Sequence, residues 1–131
     1  MDWGGIRRRT AVGLGVLTAA GLFALAAPGS AEAAAAPTRC GGHRVATLPF
    51  TTGSVQVYRS DGYVCAITVP RRPGPRQTMS VSVQARGGRP VVDQGRFIQR
   101  AGPVTVHAGH RCVRVLGTVG GGSVNSGWIL C

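Results

Sequence analysis

Two histidines three positions apart, His107 and His110, stand in the segment RFIQRAGPVTVHAGHRCVRVLG (residues 96–117) together with four arginines and Cys112. Imidazole holds first-row metals and moves protons near neutral pH. Guanidinium stabilises developing negative charge and grips phosphate or carboxylate through two parallel hydrogen bonds. A metal site, a histidine and arginine nuclease, and a polyanion contact are therefore the chemistries this segment could carry. The choice among them depends on how the chain presents the side chains.

Valine alternates with polar residues on both sides of the histidines, the period of a half-buried strand. With Ala108 and Gly109 as a two-residue turn, the segment reads as a hairpin in which His107 faces His110, Val106 faces Arg111, Thr105 faces Cys112 and Val104 faces Val113. One face then carries Val104, Val106, Val113 and Val115 toward a core. The other carries Thr105, His107, His110, Cys112 and Arg114. A third metal ligand is lacking, because Asp61 and Asp93 fall in or beside other turns and nothing in the sequence brings His43 near. Ala-Gly is also not the dipeptide such turns prefer. The expectation is no metal and no cofactor.

Catalysis lacks material. Beyond residue 33 the only carboxylate side chains are Asp61 and Asp93, too few for paired acid and base work. No nucleophile-elbow motif accompanies the serines, and a thiol nucleophile would have to come from a disulfide. The chain is expected not to be an enzyme.

The strands that must position these residues recur along the rest of the chain. SVQVYRS and YVCAITV flank Asp61-Gly62, a strong hairpin signal because the turn requires positive φ. TMSVSVQA alternates strictly, with Met79, Val81, Val83 and Ala85 on one face and Ser80, Ser82 and Gln84 on the other. GGRP turns the chain, RFIQR offers a short strand, and Gly120 to Gly122 read as a flexible link before SGWILC. The pattern predicts an all-β sandwich or barrel of about six or seven short antiparallel strands, pinned by disulfides. Between two of the strands, Pro70, Pro73 and Pro75 stiffen the loop PRRPGPR and hold Arg71, Arg72 and Arg76 out as the candidate polyanion contact.

Compartment follows from the other end. Arg7, Arg8 and Arg9 precede an uncharged run from Ala11 to Ala27, then Pro28, Gly29 and a stretch of small residues. This is the pattern of a signal peptide, residues 1–33, with Ala34 or Ala35 as nearby alternatives to cleavage after Ala33. Export by the general secretory route is favoured over the twin-arginine route, since no twin-arginine consensus surrounds the cluster. PTR ahead of Cys40 is not a lipoprotein signal. Residues 34–131 form one secreted domain with no stable membrane span after cleavage. All four cysteines, Cys40, Cys65, Cys112 and Cys131, lie in it, and in an oxidising compartment they read as two disulfides. Four cysteines allow three connectivities. Cys40 to Cys65 with Cys112 to Cys131 is favoured because each bond ties a chain end to a nearby strand through a short loop. No C-x-x-C spacing supports zinc.

Charge is lopsided. The chain has 15 basic residues, all arginine, against 4 acidic ones, and residues 34–131 retain twelve arginines against Asp61 and Asp93. Such a surface attracts anionic polymers, although an arginine-for-lysine bias is also what a GC-rich genome produces. GSVQVYRSDGYVCAITV, DQGRFIQRAGPVTVHAGHRCVRVLG and the terminal Cys131 resemble the spore-associated protein A family, small secreted proteins of filamentous actinobacteria. The most specific parts are Tyr63-Val64-Cys65 and Ala101-Gly102-Pro103-Val104, with Cys112 soon after. Arg100 stands where the family often has tyrosine, and the chain is richer in arginine. The resemblance implies export and association with the spore or aerial cell surface, and it brings no catalytic residue.

Three functional classes follow. The first is a non-catalytic secreted protein whose partners are cell-surface or spore-surface components. The second is a cationic binder of anionic polymers, either a wall polymer or nucleic acid. The third is a secreted protease inhibitor presenting PRRPGPR, a loop whose prolines make it poor bait. Phe50, Tyr58, Tyr63, Phe97 and Trp128 are the aromatics of the mature chain, and a small core is expected to take most of them, leaving little for base stacking.

Overall fold

A computed structural model describes residues 39–131; the signal peptide expected over residues 1–33 lies outside the described residues. Eight strands form two four-stranded antiparallel sheets: β1 (His43–Phe50), β2 (Gly53–Ser60), β3 (Tyr63–Pro70), β4 (Gln77–Ala85), β5 (Val91–Phe97), β6 (Ala101–His107), β7 (Val113–Val119) and β8 (Gly122–Ile129). One sheet has the order β1-β2-β3-β6 and the other β5-β4-β7-β8. The fold is a sandwich, not a closed barrel. Its sheets approach along both margins, where β5 abuts β6 and β1 abuts β8.

The alternation in TMSVSVQA builds the centre of the second sheet. Met79, Val81 and Val83 have no solvent exposure and Ala85 is buried, while Ser80, Ser82 and Gln84 are half-exposed on the other face. Val113, Val115 and Val119 of β7 extend this layer, opposed by Val55, Val57, Val64 and Ala66 of the first sheet. The core is thus valine, a residue whose stiff branched side chain suits a pleated surface. Among the described residues no aromatic side chain is fully buried, contrary to the expectation that the core would take most of them. Valines from two sheets fill the interlayer space, and Phe50 and Phe97 only cover its rim.

Where β7 faces the first sheet, one position requires glycine. A Cβ at Gly117 would run into Val55 Cγ2 and come within 2.7 Å of Thr68 Oγ1. The Asp61-Gly62 turn has the expected geometry, both residues taking positive φ (49° and 80°) between the paired Ser60 and Tyr63. Gly120 and Gly121 make a second tight turn, since Val119 pairs with Gly122. That stretch is a hairpin turn and not a flexible link.

The hairpin expected around His107 and His110 does not form. β6 pairs with β3, and β7 pairs with β4 and β8. Each strand puts valines inward, and inward valines are equally well buried when the two strands belong to facing sheets. With Ala-Gly unable to close a tight two-residue turn cheaply, residues 108–112 instead cross from one sheet to the other. β1 is the further strand beyond the sequence expectation. Its inward residues Ala46, Leu48 and Phe50 are only half-buried at the sheet edge, alternating with exposed Val45, Thr47 and Pro49, and the proline among them weakens the strand signal.

Both disulfides tie chain ends to this frame: Cys40 to Cys65, and Cys112 to Cys131. The first lies on the outer face of β3. There Cys40, Cys65 and Ile67 form a second small apolar cluster with Tyr58 and Val69, so β3 is covered on both faces.

Candidate polyanion-binding surface

Twelve arginines and two aspartates occupy the described residues, so most guanidiniums have no carboxylate to pair with. Asp93 is committed: its Oδ2 accepts a hydrogen bond from Gly102 N at 2.8 Å, joining β5 to the start of β6. Asp61 sits in its turn. What each arginine touches separates those that hold the fold from those free to meet a partner.

Arg111 closes the crossing between β6 and β7. Its Nε donates to Ala108 O (3.1 Å), Nη2 to His107 O (2.7 Å) and Nη1 to Arg86 O (3.3 Å). Arg59 Nη2 donates to Leu130 O at 3.2 Å, holding the chain end. Arg114 lies 4.4 Å and Arg86 5.2 Å from the centre of the Trp128 ring, a cation–π arrangement on the pair of residues that face each other across β7 and β8. Trp128 is therefore already taken up by two guanidiniums and is a poor platform for a nucleobase. These arginines are part of the scaffold.

Five of the other eight, Arg39, Arg71, Arg72, Arg76 and Arg100, line open depressions. The β1–β2 turn, the β3–β4 loop and the start of β4 enclose a depression of about 300 Å³ lined by Thr51, Thr52, Arg71, Arg72 and Gln77. Arg71 N donates to Thr52 O at 2.8 Å and Gln77 Nε2 to Arg72 O at 3.3 Å, so the loop is fixed by its backbone while the guanidiniums stay exposed. Arg76 does not join them. Its Nη1 donates to Arg96 O (3.2 Å) and Arg96 Nη2 returns a bond to Arg76 O (3.3 Å), placing Arg76 beside the β5–β6 loop. The candidate trio is thus divided, with Arg71 and Arg72 in one depression and Arg76 in another.

That second depression, about 320 Å³, is lined by Arg76, Phe97, Ile98, Gln99 and Arg100. A third, about 300 Å³, lies on the outer face of the first sheet and is lined by Arg39, Gln56, Tyr58, Ile67, Val69 and Arg100. Arg39 and Arg100 escape a reading of the sequence because they lie far apart in the chain. The Cys40–Cys65 bond carries Arg39 onto β3 next to them.

The chain matches no family model, no curated protein and no solved structure. The histidines also come apart. His107 stands opposite Tyr63, with ring centroids 4.9 Å apart and nearly perpendicular, and His110 lies in the crossing beyond it. Among the described residues no three His, Cys, Asp or Glu side chains come together in a group able to hold a metal ion. The arrangement offers guanidiniums on stiff loops around open depressions, chemistry suited to gripping phosphate or carboxylate.

Proposed function

We propose that the protein is an exported, non-catalytic β-sandwich retained at the cell or spore surface by contact between its arginines and the anionic polymers there. The observation that carries this is the arginine grouping around three open depressions, with Arg39, Arg71, Arg72, Arg76 and Arg100 in their walls and only two aspartates in the described chain. The two disulfides suit an oxidising compartment. The resemblance to spore-associated protein A in Tyr63-Val64-Cys65 and Ala101-Gly102-Pro103-Val104 supports the same location.

Binding of this kind is electrostatic and falls steeply as salt rises. Fractionation of a sporulating culture tests the reading. The mature protein is expected in the wall or spore fraction and is released by a salt wash. Recovery of all of it from the low-salt culture medium would reject retention at the surface.

A further inference from the structure

Two of the three depressions share a wall. Arg100 lines both the hollow on the outer face of the first sheet and the one beside the β5–β6 loop, so the two run together as a strip from Arg39 past Arg100 to Arg76. Each of the three residues is placed by a separate part of the frame. Arg39 is set by the neighbouring Cys40–Cys65 bond, Arg76 by its exchange of hydrogen bonds with Arg96, and Arg100 by its position just ahead of β6.

Apolar side chains lie among the charges, more open in the second hollow than in the first. Tyr58, Ile67 and Val69 line the first hollow, and Phe97 and Ile98 the second; Ile98 is 44% exposed. Gln56 and Gln99 add one amide to each hollow. Cations, apolar faces and amides therefore repeat along the strip.

We infer that this strip binds an acidic polysaccharide, a chain whose sugar rings carry carboxylates. The inference rests on the proposed function, since it names the polymer the arginines meet. Each repeat of such a chain presents a C–H face for the apolar side chains, hydroxyls for an amide, and a carboxylate for a guanidinium fork. A nucleic acid strand asks for open aromatic faces instead. Here each hollow holds a single half-buried ring, Tyr58 in the first and Phe97 in the second, so successive bases find no row of rings to stack on. A bare polyphosphate would use the arginines and leave the apolar side chains idle.

The test is calorimetric titration of the mature, oxidised protein at fixed ionic strength with oligogalacturonate. Polyphosphate and a single-stranded oligonucleotide of matched charge, together with neutral dextran, serve as comparisons. Oligogalacturonate is expected to bind about tenfold more tightly than either other polyanion, and Arg100→Gln or Arg39→Gln to remove about that factor, while Arg89→Gln, an exposed arginine outside the depressions, changes it little. Circular dichroism of each variant checks that the sandwich is intact. Equal affinity for all three polyanions would overturn the polysaccharide assignment and leave the polyanion reading standing. Undiminished oligogalacturonate binding by a folded Arg39→Gln, Arg100→Gln double variant would overturn the strip. Failure to bind any polyanion at low salt would overturn both readings.

Discussion

Gly117 of β7 lies directly against Thr68 of β3, so close that a Cβ there would come within 2.7 Å of the Thr68 hydroxyl oxygen. The pair joins the facing layers of the two sheets. Thr68 itself has no solvent exposure, and its hydroxyl has no hydrogen-bond partner.

Gly117→Ala is therefore expected to destabilise the domain by about 1–3 kcal/mol or more through overpacking, because Val55 and Thr68 are walled in and cannot yield freely. Thr68→Val replaces an unsatisfied buried hydroxyl by a methyl of the same shape and is expected to be neutral or stabilising by up to about 1 kcal/mol. Urea denaturation midpoints check both. A lower midpoint for Thr68→Val would mean the hydroxyl has a partner.

The disulfides span sequence separations of 25 and 19 residues, and closing loops of that size stabilises by roughly 3 kcal/mol each in the chain-entropy picture. Secreted protein is expected to contain no alkylatable thiol and to lose much of its stability in reductant. Peptide mapping without reduction should join Cys40 to Cys65. A fragment joining Cys40 to Cys112 would contradict the pairing.

Arg111 holds three carbonyl oxygens, those of His107 at the end of β6, Ala108 in the crossing and Arg86 just after β4, with one planar fork. Lysine cannot reach all three with a single ammonium. Arg111→Lys is expected to lower stability by about 1–2 kcal/mol and to speed amide hydrogen exchange at Ala108 and Gly109, whose N–H groups both donate to Gly62 O. Unchanged exchange at those two amides would show that the crossing does not need the clamp.

These tests also mark what the amino-acid pattern could and could not reveal. The strict alternation from Met79 to Ala85 specifies β4 and its buried face, because a period of two leaves no other way to bury four apolar residues together. Asp61-Gly62 specifies its turn, because two successive positive φ angles exclude most other residues. The crossing at residues 108–112 was not legible. Inward valines in β6 and β7 are compatible with either one hairpin or two facing sheets, and only the pairing of β6 with β3 decides. The strip from Arg39 to Arg76 is equally hidden, since its members meet through a disulfide, a loop and the outer face of β3. PRRPGPR stands out as a basic loop, yet its arginines divide between two depressions once the backbone is fixed.

The most direct test of retention by arginine is the binding of mature protein to isolated cell walls or spores across a salt series. The account predicts that log Kobs falls linearly with log salt, and that retention is essentially lost near about 1 M, where charges are screened beyond roughly 3 Å. Replacing Arg39, Arg71, Arg72, Arg76 and Arg100 together with glutamine should weaken binding and flatten the slope without unfolding the sandwich. Retention that is indifferent to salt, or a folded variant that binds as the wild type does, would contradict it.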